Sequence, residues 1–171
     1  MEKSYYEESV LLPIIRRLIN YLEVDMGIKV NTQNEIVYKD HVSLKSNTAM
    51  IGTGGDIRII LTLGYDEGLL EELVDRFLYG EKVEDDELIE VQESVCCEIA
   101  NIVIGNAIKN PYNDSLISIT PPILIHEAKS FAKYKNSTIV EVVIATQFGE
   151  IQLSAVGPKE LFSDKLNFKE L

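Results

Sequence analysis

The chain has 171 residues, 46% hydrophobic and 26% charged, enough for one domain spanning 1–171 with a sizeable core. Its formal charge of −12, from 28 acidic against 16 basic residues, argues against nucleic acid or an anionic membrane surface as partner, since both need clustered Lys and Arg. The opening MEKSYYEESV lacks the basic-then-apolar layout of a secretion signal, and no apolar run reaches the length of a membrane span. A cytoplasmic protein is the expectation. The neighbouring Cys96 and Cys97 then read as reduced, buried small hydrophobes, because adjacent helical residues diverge by about 100° and no second Cys pair or nearby His completes a metal site.

The first predicted element is a helix over residues 5–26, with Leu11, Ile15, Leu18 and Leu22 at helical spacing. Pro13 starts or kinks its regular part, and Gly27 ends it. Extended segments follow at 28–38, 42–51 and 56–63, the last two joined by the hairpin turn Gly52-Thr53-Gly54-Gly55. A second helix over 67–79 buries Leu69, Leu70, Leu73, Val74, Phe77 and Leu78, with Asp66 as its cap and Gly80 as its stop. An acidic loop, 81–86, leads into a long helix within 87–110, its acids lying where the helix dipole favours negative charge. Pro111 and Asn113 break the chain, and strands follow at 116–126, 138–146 and 151–156 with Phe148-Gly149 as the turn of the last hairpin. The tail from Pro158 is a short helix at most. This order predicts a single α+β (α/β layered) domain: a mixed, mostly antiparallel sheet of about six strands packed with a long N-terminal helix and two central helices.

Familiar enzyme signatures are missing from the sequence: it has no P-loop, no GxSxG elbow, no HExxH helix and no EF-hand loop. His41 and His126 read as surface or strand-end residues. The glycine-rich turn at 52–55 could present N–H groups to an anion, but a strand rather than a helix follows it, which favours a plain hairpin.

The long helix carries the informative pattern. Ser94, Glu98 and Asn101 share one stripe, and Gly105 continues it, while Val95, Cys96, Ile99, Ala100, Val103 and Ile104 fill other faces. A helix that is apolar over most of its circumference is mostly buried, so an aligned carboxylate and carboxamide are either satisfied internally or turned outward for a purpose. Spacing alone leaves both readings open, the commoner being a solvated edge with Asn101 bonded to a neighbouring loop.

The pattern Ser94-x-x-x-Glu98-x-x-Asn101, continuing Ile-Val-Ile-Gly105-Asn106-Ala107, resembles the signature of the CheC/CheX/FliY chemotaxis phosphatases. Its flanks resemble CheX: the strand at 57–63, the helix ending Leu78-Tyr79-Gly80-Glu81, and Ile119-Thr120-Pro121-Pro122 after the motif. A single motif copy is present, as in CheX. Where the wider family pattern has a proline, this chain has Leu124, and its prolines stand earlier, at 121 and 122, pointing to a shorter connection around 110–114.

The resemblance implies a CheX-like fold and a phosphatase acting on the phospho-aspartate of a CheY-type response regulator. It implies catalytic roles for Asn101, which positions a water, and Glu98, which pairs with the regulator's lysine, with Ser94 and Gly105 as partner contacts. It implies no cofactor or metal in this chain, the divalent metal being carried by the regulator. The alternative is a non-enzymatic regulator-binding or flagellar-switch-like adaptor on the same fold; a small-molecule phosphatase fits less well, because a helix stripe encloses no pocket. The resemblance also implies a homodimer formed through the sheets. Residues 138–146, TIVEVVIAT, could be its unpaired edge or an interior strand.

Overall fold

A computed structural model describes residues 10–108, 117–125 and 129–159. The first helix, α1, runs Leu12–Asn20 with Pro13 in its opening turn, where a missing N–H costs nothing. It continues as a π turn, Tyr21–Asp25. Ile14, Ile15, Leu18 and Leu22 are its buried side. Gly27, at φ +65°, reverses the chain and lets the Ile28 N–H donate back to the Leu22 carbonyl at 2.7 Å. The predicted start at residue 5 lies outside the described residues.

The strands are β1 (Val30–Gln33), β2 (Val37–Lys39), β3 (His41–Ser43), β4 (Asn47–Gly55), β5 (Ile60–Tyr65), β6 (Ile117–Ile119), β7 (Ile123–Ile125), β8 (Ser130–Ala132), β9 (Ser137–Thr146) and β10 (Gly149–Pro158). The main sheet has the order β1-β9-β10-β5-β4-β6, with β2 also beside β9 and β7 also beside β4. Every described pairing is antiparallel. The sheet is thus eight-stranded and unmixed, rather than mixed with about six. The difference arises at its edges, each of which is built from two short strands. The predicted strand at 116–126 is split where Thr120 turns to bond Gly52 through its backbone N–H and its hydroxyl, just before Pro121 and Pro122 remove two further donors. The stretch 28–38 is split likewise: Asn34 bonds Val143 through both its backbone and its side chain. A separate ribbon pairs β3 with β8.

Residues 138–146 are covered on both sides, by β10 and by β1 and β2, so they offer no free edge for a dimer. The glycine turn is also displaced. Gly52, Thr53 and Gly54 lie within β4 and pair with β5 or β6, and the chain reverses over 56–59. Thr53 closes that reversal, with its hydroxyl donating to the Ile57 carbonyl and accepting from the Ile59 N–H. A Cβ at Gly54 would stand 3.0 Å from the Ser118 hydroxyl, so glycine serves strand crowding here.

One face of the sheet makes the core. Ala49 and Ile51, Leu61 and Leu63, Ile151 and Leu153, and Val140, Val142 and Ile144 alternate inward against the helices α1, α2 (Glu67–Phe77) and α3 (Leu88–Ile108). The opposite face buries Thr48, Thr62, Ser154, Gln152 and Glu141, where Gln152 Nε2 donates to Glu141 Oε2 at 2.8 Å and Lys39 lies 3.4 Å from the same carboxylate. No described helix is long and apolar enough to cross a membrane.

Asp66 occupies the N-cap position of α2 but makes no capping bond. Its carboxylate instead takes a bond from Lys45 Nζ at 2.6 Å and one from the Glu150 N–H at 2.8 Å, tying the helix entry to β10. At the other end Tyr79, at φ +55°, and Gly80, at φ +76°, are both left-handed, and the Gly80 N–H donates to the Asp75 carbonyl to close the helix. Partial burial raises the Asp66 carboxyl, but the bonds from Lys45 and Glu150 and the Lys45 charge outweigh it, leaving the carboxyl below the usual range. A carboxyl lowered in the folded state stabilises above its unfolded pKa, about 4, and that stability is lost as pH falls through the folded value. Asp66→Ala is therefore expected to cost about 1 kcal/mol at pH 7, a charged hydrogen bond discounted for solvent exposure, and less at pH 3, read by denaturant melts at both pH values.

Candidate functional site

Helix α3 is the scaffold of the site. It follows the exposed acidic loop, and the Val91 N–H bond to the Glu87 carbonyl opens it. Val95, Cys96, Ile99, Ala100, Val103 and Ile104 are buried, packed against α1, α2 and β4. Tyr65 on β5 fixes the helix against the sheet by donating its hydroxyl to the Cys96 carbonyl at 3.3 Å. A helix held on this many sides has little freedom to roll, so whatever it presents outward is held in a defined direction.

What it presents is the predicted stripe. Ser94 and Glu98 are exposed and Asn101 is half-buried, on successive turns of one face. Among the described residues, no hydrogen bond or ion pair occupies these three side chains. The carboxylate keeps its acceptor lone pairs, and the carboxamide keeps both a donor and an acceptor for a visitor. Asn101 bonded to a neighbouring loop is not what the described residues show.

Gly105, next on the stripe, is buried, and a Cβ there would meet Ile119 Cδ1 of β6 at 3.4 Å, an ordinary van der Waals contact. The connection around 110–114 and His126 lie outside the described residues. His41 is exposed on β3, within the small ribbon. The glycines at 52–55 belong to a paired strand whose Gly52 N–H already donates to Thr120 Oγ1, which leaves no nest for an anion. Among the described residues no three His, Cys, Asp or Glu side chains converge as a metal site.

One buried tyrosine was not singled out by sequence. Tyr21, on the π turn after α1, is buried in the helical layer. It occupies an apolar slot three residues after Leu18, which a phenylalanine would fill equally, so periodicity alone gives its oxygen no significance.

An antiparallel sheet with one helical layer, and a carboxylate and carboxamide on the outward stripe of a buried helix, define an α+β domain with a surface site rather than a pocket. Residues 47–145, more than half of the chain, match the family described as chemotaxis phosphatase CheX, and the chain belongs to that family. No curated protein sequence matches it significantly. Among solved structures, a chemotaxis protein CheX from Desulfovibrio desulfuricans is similar at 15% identity, with a TM-score of 0.71 over 84% of this chain and 95% of that one. The CheX of a CheX-CheY-BeF3-Mg2+ complex from Borrelia burgdorferi is similar at 18% identity and a TM-score of 0.68, over 86% and 96%. FliY of Thermotoga maritima is similar at 16% identity and a TM-score of 0.56, over 87% and 86%. At these identities the likeness concerns the fold.

The surroundings of the two cysteines beside the stripe disfavour the thiolate. Burial pushes the Cys96 thiol up to about 12, with Cys97 and Glu93 adding to it, and burial raises Cys97 as well. Thiolate chemistry needs the opposite shift. A thiol-reactive probe at pH 8 is expected to leave Cys96 untouched in the native protein and to label it only after unfolding, read by mass spectrometry of peptides.

Proposed function

We propose that the chain is an aspartyl-phosphate phosphatase that dephosphorylates a CheY-type response regulator. The observation that carries this reading is the pair Glu98 and Asn101, turned outward on one face of α3 with no hydrogen-bond or ion-pair partner among the described residues. Family membership supports it, as does the CheX-CheY complex named for a relative of the same fold. A response-regulator substrate puts this work in the cytoplasm. The homodimer expected from the resemblance stays with this reading, with β1–β2 or β6–β7 as the sheet edge, since β9 is interior.

The residue types suit the reaction. An acyl phosphate is already activated, so the reaction needs no protein nucleophile. Water attacks phosphorus, the P–O bond to the aspartate breaks, and the products are inorganic phosphate and a free carboxylate. The regulator's own lysine and divalent ion supply charge stabilisation at the phosphoryl oxygens. This chain supplies orientation: the Asn101 carboxamide accepts from the attacking water through its oxygen and donates to it through its nitrogen, fixing the lone pair toward phosphorus. The arrangement is analogous to water-positioning by glutamine in GTPases. Glu98, about one turn away, pairs with the regulator's lysine and sets the register in which Asn101 meets the phosphoryl group. Ser94, one turn further out, extends the contact.

Asn101→Ala is expected to keep the fold and lose on the order of 10²–10³ in dephosphorylation rate at saturating regulator, the scale of losing one preorganised hydrogen-bonding group. Phosphate release measures it, and an unchanged rate removes Asn101 from its role. Glu98→Lys sets two ammonium groups against each other and is expected to abolish binding to the phosphorylated regulator. Calorimetry reads that directly, and retained tight binding contradicts the lysine pairing.

A further inference from the structure

The apolar face of α3 outruns the core it packs on. Val95, Cys96, Ile99 and Ala100 are buried. Leu88 stands on the same face, seven residues before Val95 and eleven before Ile99, and Ile89 stands likewise before Cys96 and Ala100. Yet Leu88 is 39% exposed and Ile89 is 70% exposed. At 1.5 Å per residue, the face runs about 10 Å past its first buried turn. Two adjacent large aliphatics held in water on an otherwise buried face are a cost that this chain alone does not recover.

Tyr79 repeats the anomaly at the other end of the acidic loop. Its φ of +55° is a left-handed conformation that a bulky residue adopts at a cost, where glycine would not. Its side chain is 96% exposed, so packing within the chain does not offset that cost. The loop between these apolar groups sets the charge. Residues 81–90 carry six acids, Glu81, Glu84, Asp85, Asp86, Glu87 and Glu90, against one base, Lys82, and all seven are exposed.

That acidic rim selects the occupant. A second copy would set the same acids against these, and lipid headgroups or nucleic acid would bring phosphates. The complement is a segment with apolar side chains at helical spacing and Lys or Arg on its flanks. We propose that Leu88 and Ile89, together with Tyr79, form a docking surface for a basic amphipathic helix of another protein. The surface is separate from the phosphatase stripe. Leu88 and Ile89 stand about 120–140° round the helix axis from Ser94, so an occupant leaves Glu98 and Asn101 open. The inference therefore does not depend on the activity proposed for them.

The test uses the full chain and two fluorescent peptides of leucine and lysine, about 18 residues long and identical in composition. In one the leucines recur at helical spacing, and in the other they are scattered, so both carry the same charge. Anisotropy titrations at physiological salt are expected to show the patterned peptide binding about tenfold tighter or better, the scale of an apolar anchor. In Tyr79→Asn/Leu88→Gln/Ile89→Gln that preference is expected to vanish, with a melting temperature no lower than the parent's. In Glu98→Gln it is expected to stay. Equal binding of the two peptides means charge attraction alone and overturns the inference. So does a preference that survives the triple variant, or one lost in Glu98→Gln, which would put the peptide on the stripe. A lowered melting temperature in the triple variant marks a structural role and overturns it as well. Sedimentation of the chain without peptide supplies the last arm: a dimer that the triple variant abolishes gives the surface to a second copy instead. Each of these readings holds whether or not the chain releases phosphate from a regulator.

Discussion

The burial of α3 is the constraint on which the rest depends. Its buried residues, from Val95 to Ile104, are pressed against α1, α2 and the sheet, and Ser94, Glu98 and Asn101 lie on the side turned away from them. A catalyst that works by orienting water gains nothing from a side chain that wanders, because the gain lies in the geometry being set before the reaction. Fixing the helix fixes the directions of Glu98 and Asn101 together. The same burial disfavours the thiolate form of Cys96.

The sheet serves that constraint. Leu61, Leu63, Ile151 and Leu153 come from the two central strands, β5 and β10, whose ladders run antiparallel over most of their length. Tyr65 at the end of β5 then reaches the α3 backbone at Cys96, two residues before Glu98. Asp66, the next residue, turns the chain into α2 while tied to Lys45 and Glu150. A short run of residues thus links the sheet centre, the helix seam and the entry of the second helix.

Much of this was legible in the sequence where a single period governed the pattern. The 3.6-residue rhythm of α3 marked its buried faces and its polar stripe, and α2 was equally plain from Leu69, Leu70, Leu73 and Val74. The failures share a cause: residues whose local signal meant one thing and whose tertiary neighbours decided another. Glycines 52 and 54 look like a turn, but both lie in a paired strand, and at 54 the Ser118 hydroxyl crowds the space a Cβ would take. Asp66 looks like a cap, but a lysine 21 residues earlier claims its carboxylate. Residues 138–146 look like an edge or an interior strand equally, and the choice is made by β1 and β2 from the far end of the chain.

The central claim is that an outward amide on a rigid helix catalyses hydrolysis rather than merely holding a partner. The most direct measurement is the lifetime of a phosphorylated CheY-type regulator with this chain present at a small fraction of its concentration. Catalysis predicts that the whole regulator population loses its phosphate faster, through many turnovers per chain. A lifetime unchanged at that ratio, and unchanged or lengthened when the chain is raised to equal concentration and seen to bind, contradicts it.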